Sequence, residues 1–154
     1  MRHFSVNQVA KAGIIAALYA VLALALPEFS YNIMQFRLSE GLVLLPLYLP
    51  EAIPGLALGC LLANLGSPFG ILDIIGGTLC TALAAWLTWR WRQNIVLATL
   101  APIVVNALGV SAYLAFLSKE LYFTIVPAIA LSETVICLVI ALPLSRLVAR
   151  LLKV

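Results

Sequence analysis

Between Leu121 and Ser145 the chain carries a single charged residue, Glu133, and between Ile95 and Leu117 it carries none. About 18 consecutive apolar residues wound as a helix already cross the roughly 30 Å hydrocarbon core of a bilayer. A helix there satisfies every backbone N–H and C=O within its own segment. The remainder obeys the same constraint: 64% of the 154 residues are hydrophobic and 10% are charged, against about 25% charged in soluble domains. The sequence therefore predicts an all-α integral membrane protein. At roughly 20 residues per span, the length allows one domain, residues 1–154, built as a single bundle of six transmembrane helices.

The first predicted helix runs from Val6 to Leu26 and ends at Pro27, which cannot continue the hydrogen-bond ladder. It carries Arg2 and Lys11 ahead of its apolar run with no obvious cleavage site, and is expected to stay as a signal anchor. Ala12, Ala16 and Ala20 repeat every four residues, widened by Gly13 and Ala17. Such a stripe lets another helix approach closely, either inside the bundle or on a different protein. Residues 27–37 form a connection long enough to be a binding loop or lid, and its Phe29, Tyr31 and Phe36 equally suit an interfacial aromatic belt.

A short second helix is expected from Leu38 to Leu49, interrupted by Pro46, and a third from Pro50, with Glu51 in its first turn where the helix dipole favours an anion. Gly55, Gly59 and Ala63 repeat the small-residue spacing. Gly66 to Gly70 make a turn. The fourth helix, Ile71 to Trp91, places Asp73, Gly77 and Thr81 on one face and ends in a Trp86, Trp89, Trp91 cluster beside Arg90 and Arg92, an interfacial anchor. The fifth, Ile95 to Leu117, is interrupted by Pro102 and stacks Asn106 over Tyr113. The sixth, Thr124 to Leu152, buries Glu133.

The net charge of +3 does not signal nucleic-acid binding, because the basic residues sit at segment ends. With six spans and a cytoplasmic N-terminus, Arg2, Lys11, Arg90, Arg92, Arg146, Arg150 and Lys153 lie inside, and Arg37 and Lys119 outside. Seven against two obeys the positive-inside rule and predicts that both termini are cytoplasmic. Glu51 then falls at the inner end, away from any outer site.

No P-loop, HExxH helix or Cys and His pair occurs, and His3 sits near the N-terminus, so neither an enzyme nor a cofactor or metal is expected. Cys60, Cys80 and Cys137 lie in apolar runs as small packing residues. The informative residues are polar groups in apolar surroundings. Glu133, inside a span, costs roughly 2.5 to 3.5 kcal/mol on insertion scales and needs a partner or a ligand. The alternatives to a ligand are that Glu133 is protonated or bonded to Asn106 across the bundle. Glu40 follows Arg37 by three residues and reads either as that arginine's partner or as a ligand contact. Asn64 and Asp73 read either as helix-end caps or as ligand contacts. Together with Tyr113 and the aromatic faces of Phe29, Tyr31 and Phe36, these acceptors suit a purine-type heterocycle whose ring N–H and exocyclic amine a carboxylate accepts in parallel.

RLSEGLVLLP followed by LPEAIPGLALGCLLANLGSPFGILDIIGGTL resembles the QueT family, the queuosine-precursor substrate-binding components of energy-coupling factor (ECF) transporters. The resemblance covers nearly the whole chain, with SEGL, PEAIPG and LANL its most specific segments. It implies a multi-pass protein of the cell membrane that captures a 7-deazaguanine outside, then associates with a transmembrane coupling subunit and two ATPase subunits. In that class the helix 1 alanines contact the coupling protein, which carries over to Ala12, Ala16 and Ala20. The resemblance favours Asp73, Asn106, Tyr113 and Glu133 as ligand residues and leaves Glu40 and Asn64 dependent on helix tilt. A binding component for thiamine or riboflavin, and a ligand-free assembly protein, are the competing readings.

Overall fold

The computed structural model describes residues 5–31 and 35–153, and every regular element in them is helical. Arg2, His3 and the side chain of Phe29, named above, lie outside that description. Three helices among the described residues are long and apolar enough to cross a membrane. The first is α1, Val6–Ala25. The second is a rod, Ile95–Ser118, made of α5 (Ile95–Val105), a wide π-type turn (Asn106–Val110) and α6 (Ser111–Ser118). The third, Tyr122–Leu152, joins α7 (Tyr122–Ile136) to α8 (Leu142–Leu152) through a second π-type turn, Cys137–Ala141. Only 28%, 44% and 39% of their spanning windows are buried, so most of each apolar surface faces outward, as lipid contact requires and water would not allow.

Between them stand a one-turn α2 (Pro27–Ser30), α3 (Ala52–Asn64), and a helical stretch over residues 71–90 that opens with a π-type turn, Asp73–Gly77, and continues as α4, Thr78–Arg90. Local chemistry sets the ends. Ser5 and Gln8 form a reciprocal capping box at α1, and the Asn94 side chain accepts from Val96 and Leu97 at the start of α5. Arg92 stacks its guanidinium 4.8 Å from the Trp89 ring and donates to the Trp89 carbonyl, closing α4 at the tryptophan cluster.

The expected α-helix at Leu38–Leu49 is instead two 3-10 turns, Leu38–Leu42 and Leu45–Leu47. The bonds run three residues back, from Val43 to Glu40 and from Leu47 to Leu44. Pro46 has no N–H to donate, and this tighter winding stretches the segment to about 2.0 Å per residue. It is buried on all sides. Leu42, Leu45 and Leu49 join a core with Ile15, Tyr19 and Leu56, while Val43, Leu44 and Leu47 join another with Ala84, Ala98 and Cys137. The segment therefore acts as an axle around which the longer helices pack.

The alanine stripe of α1 meets the glycines of α3. A Cβ at Gly55 would lie 2.8 Å from the Ala12 carbonyl oxygen, and one at Gly59 would lie 2.6 Å from the Tyr19 Cβ and 2.8 Å from the Ala16 oxygen. Ala16 is fully covered, whereas Ala12 and Ala20 stay partly exposed. At the far end of this seam Lys11 pairs with the buried Glu51 at 3.3 Å. The exposed side of α1 instead presents Gly13, with open space beside it, and Ala17.

Gly59→Ala is expected to destabilise the fold by about 1–3 kcal/mol through overpacking. Gly13→Ala, which meets nothing, is expected to be neutral or stabilising by up to about 1 kcal/mol. Thermal unfolding of both variants in detergent checks the contrast.

Candidate functional site

Two polar clusters meet where the 35–40 segment approaches the C-terminus of α3 and the start of the 71–90 helix. The first centres on Arg37. Its Nε donates to the Ser30 carbonyl at 3.1 Å, Nη1 donates to Asn64 Oδ1 at 3.1 Å, and Nη2 pairs with Asp73 Oδ2 at 3.2 Å. Its guanidinium carbon lies 5.3 Å from the centre of the Tyr31 ring. Asp73, wholly buried, also accepts from Tyr113 Oη at 2.6 Å and from the Ser67 hydroxyl. Asn64 donates in turn to the Asp73 carbonyl at 2.9 Å. Tyr31 donates to the Ala63 carbonyl at 2.7 Å, and burial lifts its phenol above the ordinary value, with the Arg37 cation opposing the shift.

Gly76 and Gly77 make this clasp possible. A Cβ at Gly76 would stand 2.9 Å from the Tyr113 ring, and one at Gly77 would stand 2.6 Å from Asn64 Nδ2 and 3.2 Å from Asp73 Oδ1. The π-type turn that contains both glycines begins at Asp73. Such turns recur at functional sites, and a second one begins at Asn106.

The other cluster is a small cavity. Gln35, Arg37, Glu40, Gly77, Thr81, Asn106, Val110, Ile129 and Glu133 line about 10 Å³, room for one water molecule. Glu40 and Glu133 are each 3% exposed and Asn106 is 4% exposed. Each has one oxygen engaged or free in a definite way. Tyr19 on α1 donates to Glu40 Oε1, and Asn106 Nδ2 donates to Glu133 Oε1 at 2.6 Å. Glu40 Oε2, Glu133 Oε2 and Asn106 Oδ1 are buried with no hydrogen-bond partner. Unmatched buried acceptors cost about 1–3 kcal/mol each, so three around one cavity describe a place built to receive donors. Gln35 reaches the wall from a left-handed backbone, φ 49°, a conformation that costs a non-glycine residue about 1–3 kcal/mol.

The structure thus sorts the residues that the sequence singled out. Arg37, Asn64, Asp73 and Tyr113 come together, with Asp73, Asn64 and Tyr113 bonded within the clasp and Arg37 bridging clasp and cavity. Glu40, Asn106 and Glu133 face the cavity. Phe36 is half-buried outside its lining, and the Tyr31 face is taken by Arg37. Gln35, Tyr19 and Ser67 are new to the site. Thr81 and Gly77 carried a signal in the four-residue repeat from Asp73, whereas Tyr19 lay in the alanine stripe with nothing local to mark it.

A family model described as QueT transporter matches residues 9–150, nearly the whole chain. The chain belongs to the QueT transporter family. No curated protein and no solved structure matches it. Membership in the QueT transporter family, with three bilayer-length apolar helices, makes this a membrane protein that handles a small molecule.

Asp73→Asn leaves Arg37 a buried cation without its counter-charge and is expected to cost about 3–5 kcal/mol. Tyr113→Phe removes one charge-assisted bond and is expected to cost about 1.5–3 kcal/mol. Thermal unfolding in detergent, with Phe36→Leu as a mild control, measures the order.

Proposed function

We propose that this chain is the substrate-binding component of an energy-coupling factor importer, and that it captures a 7-deazaguanine precursor of queuosine at the outer face of the cell membrane. The observation that carries this reading is the trio of unpartnered acceptors, Glu40 Oε2, Glu133 Oε2 and Asn106 Oδ1, around one buried cavity. A 7-deazaguanine presents a ring N–H beside an exocyclic amine, and one carboxylate accepts from both in parallel. Val110 and Ile129 supply apolar contact for the ring.

A cavity of about 10 Å³ is far below the roughly 300 Å³ at which small-molecule sites begin. Ligand entry therefore requires the walls to part, and Gln35, Arg37 and Glu40 belong to the one wall that is not a long helix. Binding energy from the three acceptors offsets the cost of that opening. Six spans with both termini cytoplasmic complete the reading, and put the clasp and cavity toward the outside.

The chain has no phosphate-binding loop, so ATP-driven uptake calls for a transmembrane coupling subunit and two ATPase subunits. Docking of the coupling subunit would use α1. Ala16 is covered by α3, so the surface open to it is the partly exposed Ala12 and Ala20 with the exposed Gly13 and Ala17 beside them.

Uptake of labelled 7-deazaguanine precursor in cells that express the chain with and without coupling and ATPase subunits tests the reading. Uptake is expected only with the complete set, and Glu133→Gln is expected to lower it at least about tenfold, since a hydrogen bond to a charged group contributes about 1.5–3 kcal/mol. Uptake independent of the partners rejects the importer mechanism. Retention of thiamine or riboflavin in place of the deazapurine through purification rejects the ligand.

A further inference from the structure

We infer that an anionic phospholipid docks in the groove between α5 and the third long helix, one acyl chain lying along the groove and the phosphate meeting Arg146 at its end. The groove shares no lining residue with the polar cavity.

The groove encloses about 290 Å³. Val96, Leu100 and Ile103 form one wall, and Leu138, Leu142 and Arg146 form the other. Two threonines also line it, but each is turned to its own helix: Thr99 donates to the Ile95 carbonyl at 2.8 Å, and Thr134 donates to the Ala130 carbonyl at 2.7 Å. Their hydroxyl protons are spent, and the walls call for hydrocarbon. Thr134, Leu138, Leu142 and Arg146 follow one another at four-residue steps, a row that rises about 18 Å. That is close to half of the roughly 30 Å hydrocarbon core, the depth of the acyl chains of one leaflet.

Charge decides the headgroup. Arg146 is exposed and makes no hydrogen bond or ion pair among the described residues. Arg150, one turn further along α8, is exposed as well, so this end of the groove is electropositive. Two other apolar grooves supply the contrast. The one between α1 and α8, about 330 Å³, has Lys11 in its wall, but that cation is matched by Glu51 at 3.3 Å. The one between α4 and α5, about 250 Å³, is lined by no charged residue. An arginine lays its aliphatic stem along an apolar wall and keeps its head at the interface, where the planar guanidinium binds phosphate in two-pronged fashion. Basic pockets between membrane helices hold anionic headgroups in this way. An apolar helix from another protein would fill the groove and leave the guanidinium unmet, whereas a phospholipid satisfies both.

The purified full chain in neutral detergent is titrated with phosphatidylglycerol and phosphatidylcholine of identical acyl chains, and bound lipid is read by native mass spectrometry. Phosphatidylglycerol is expected to bind at least about fivefold more tightly, and Arg146→Gln to remove that factor, the contribution of one arginine at an anionic surface. Arg150→Gln, which deletes the same charge beyond the groove, is expected to change binding less than about twofold. Val96→Trp, at an exposed position in the wall, is expected to fill the groove and weaken both lipids alike. Equal binding of the two lipids by the unmutated chain overturns the inference, whatever the variants do. Equal losses from Arg146→Gln and Arg150→Gln reduce the preference to net charge and overturn the site, as does unchanged binding in Val96→Trp. A dimer seen by light scattering, abolished by Val96→Trp and without headgroup preference, assigns the groove to a second copy of the chain and overturns the lipid.

Discussion

A guanidinium cannot enter a membrane bundle unless acceptors surround it, and Arg37 is surrounded from four directions. The end of α2 gives a backbone carbonyl, the end of α3 gives Asn64, the 71–77 turn gives Asp73, and Tyr31 lays its ring against the cation. Asp73 passes the constraint on to Tyr113 and so to the Ile95–Ser118 rod. Segments far apart in sequence are thereby fixed by one charge. Removing that charge would leave each of them with an unmet polar group in surroundings that offer no water.

The division of polar groups into met and unmet follows from this arrangement. In the clasp, Asp73 and Asn64 are each hydrogen-bonded on several sides. Beside it, Glu40, Asn106 and Glu133 keep free acceptors that point to one small space. Tyr19 ties Glu40 to α1, the helix whose outer face is open.

Much of this was legible in the chain itself. Membrane residence follows from the apolar runs and the end of the first helix from Pro27, both local signals. The stripe of Ala12, Ala16 and Ala20 announced close approach, and the matching Gly55 and Gly59 announced a second surface of the same kind. That the two face each other was open at that level, since a small-residue stripe fits any partner of suitable shape. The winding of Leu38–Leu47 was misread as α-helix, because an all-apolar segment has the same pattern in either form and only its burial inside the bundle selects the stretched one.

Within the site, the sequence by itself determined which groups could matter, because a carboxylate, an arginine or an amide inside a membrane run is costly and has to be matched. It also determined the family, through residues 9–150. The tertiary structure alone decided who matches whom. Asp73 looked as open to a ligand as Glu133, yet it is closed by Arg37, Tyr113 and Ser67, while Glu133 retains a free oxygen beside Glu40. Hydrogen bonds saturate, so what a polar side chain can still accept depends on its neighbours in space, and apart from Ser67, six positions from Asp73, those neighbours come from 21 to 40 positions away in the chain.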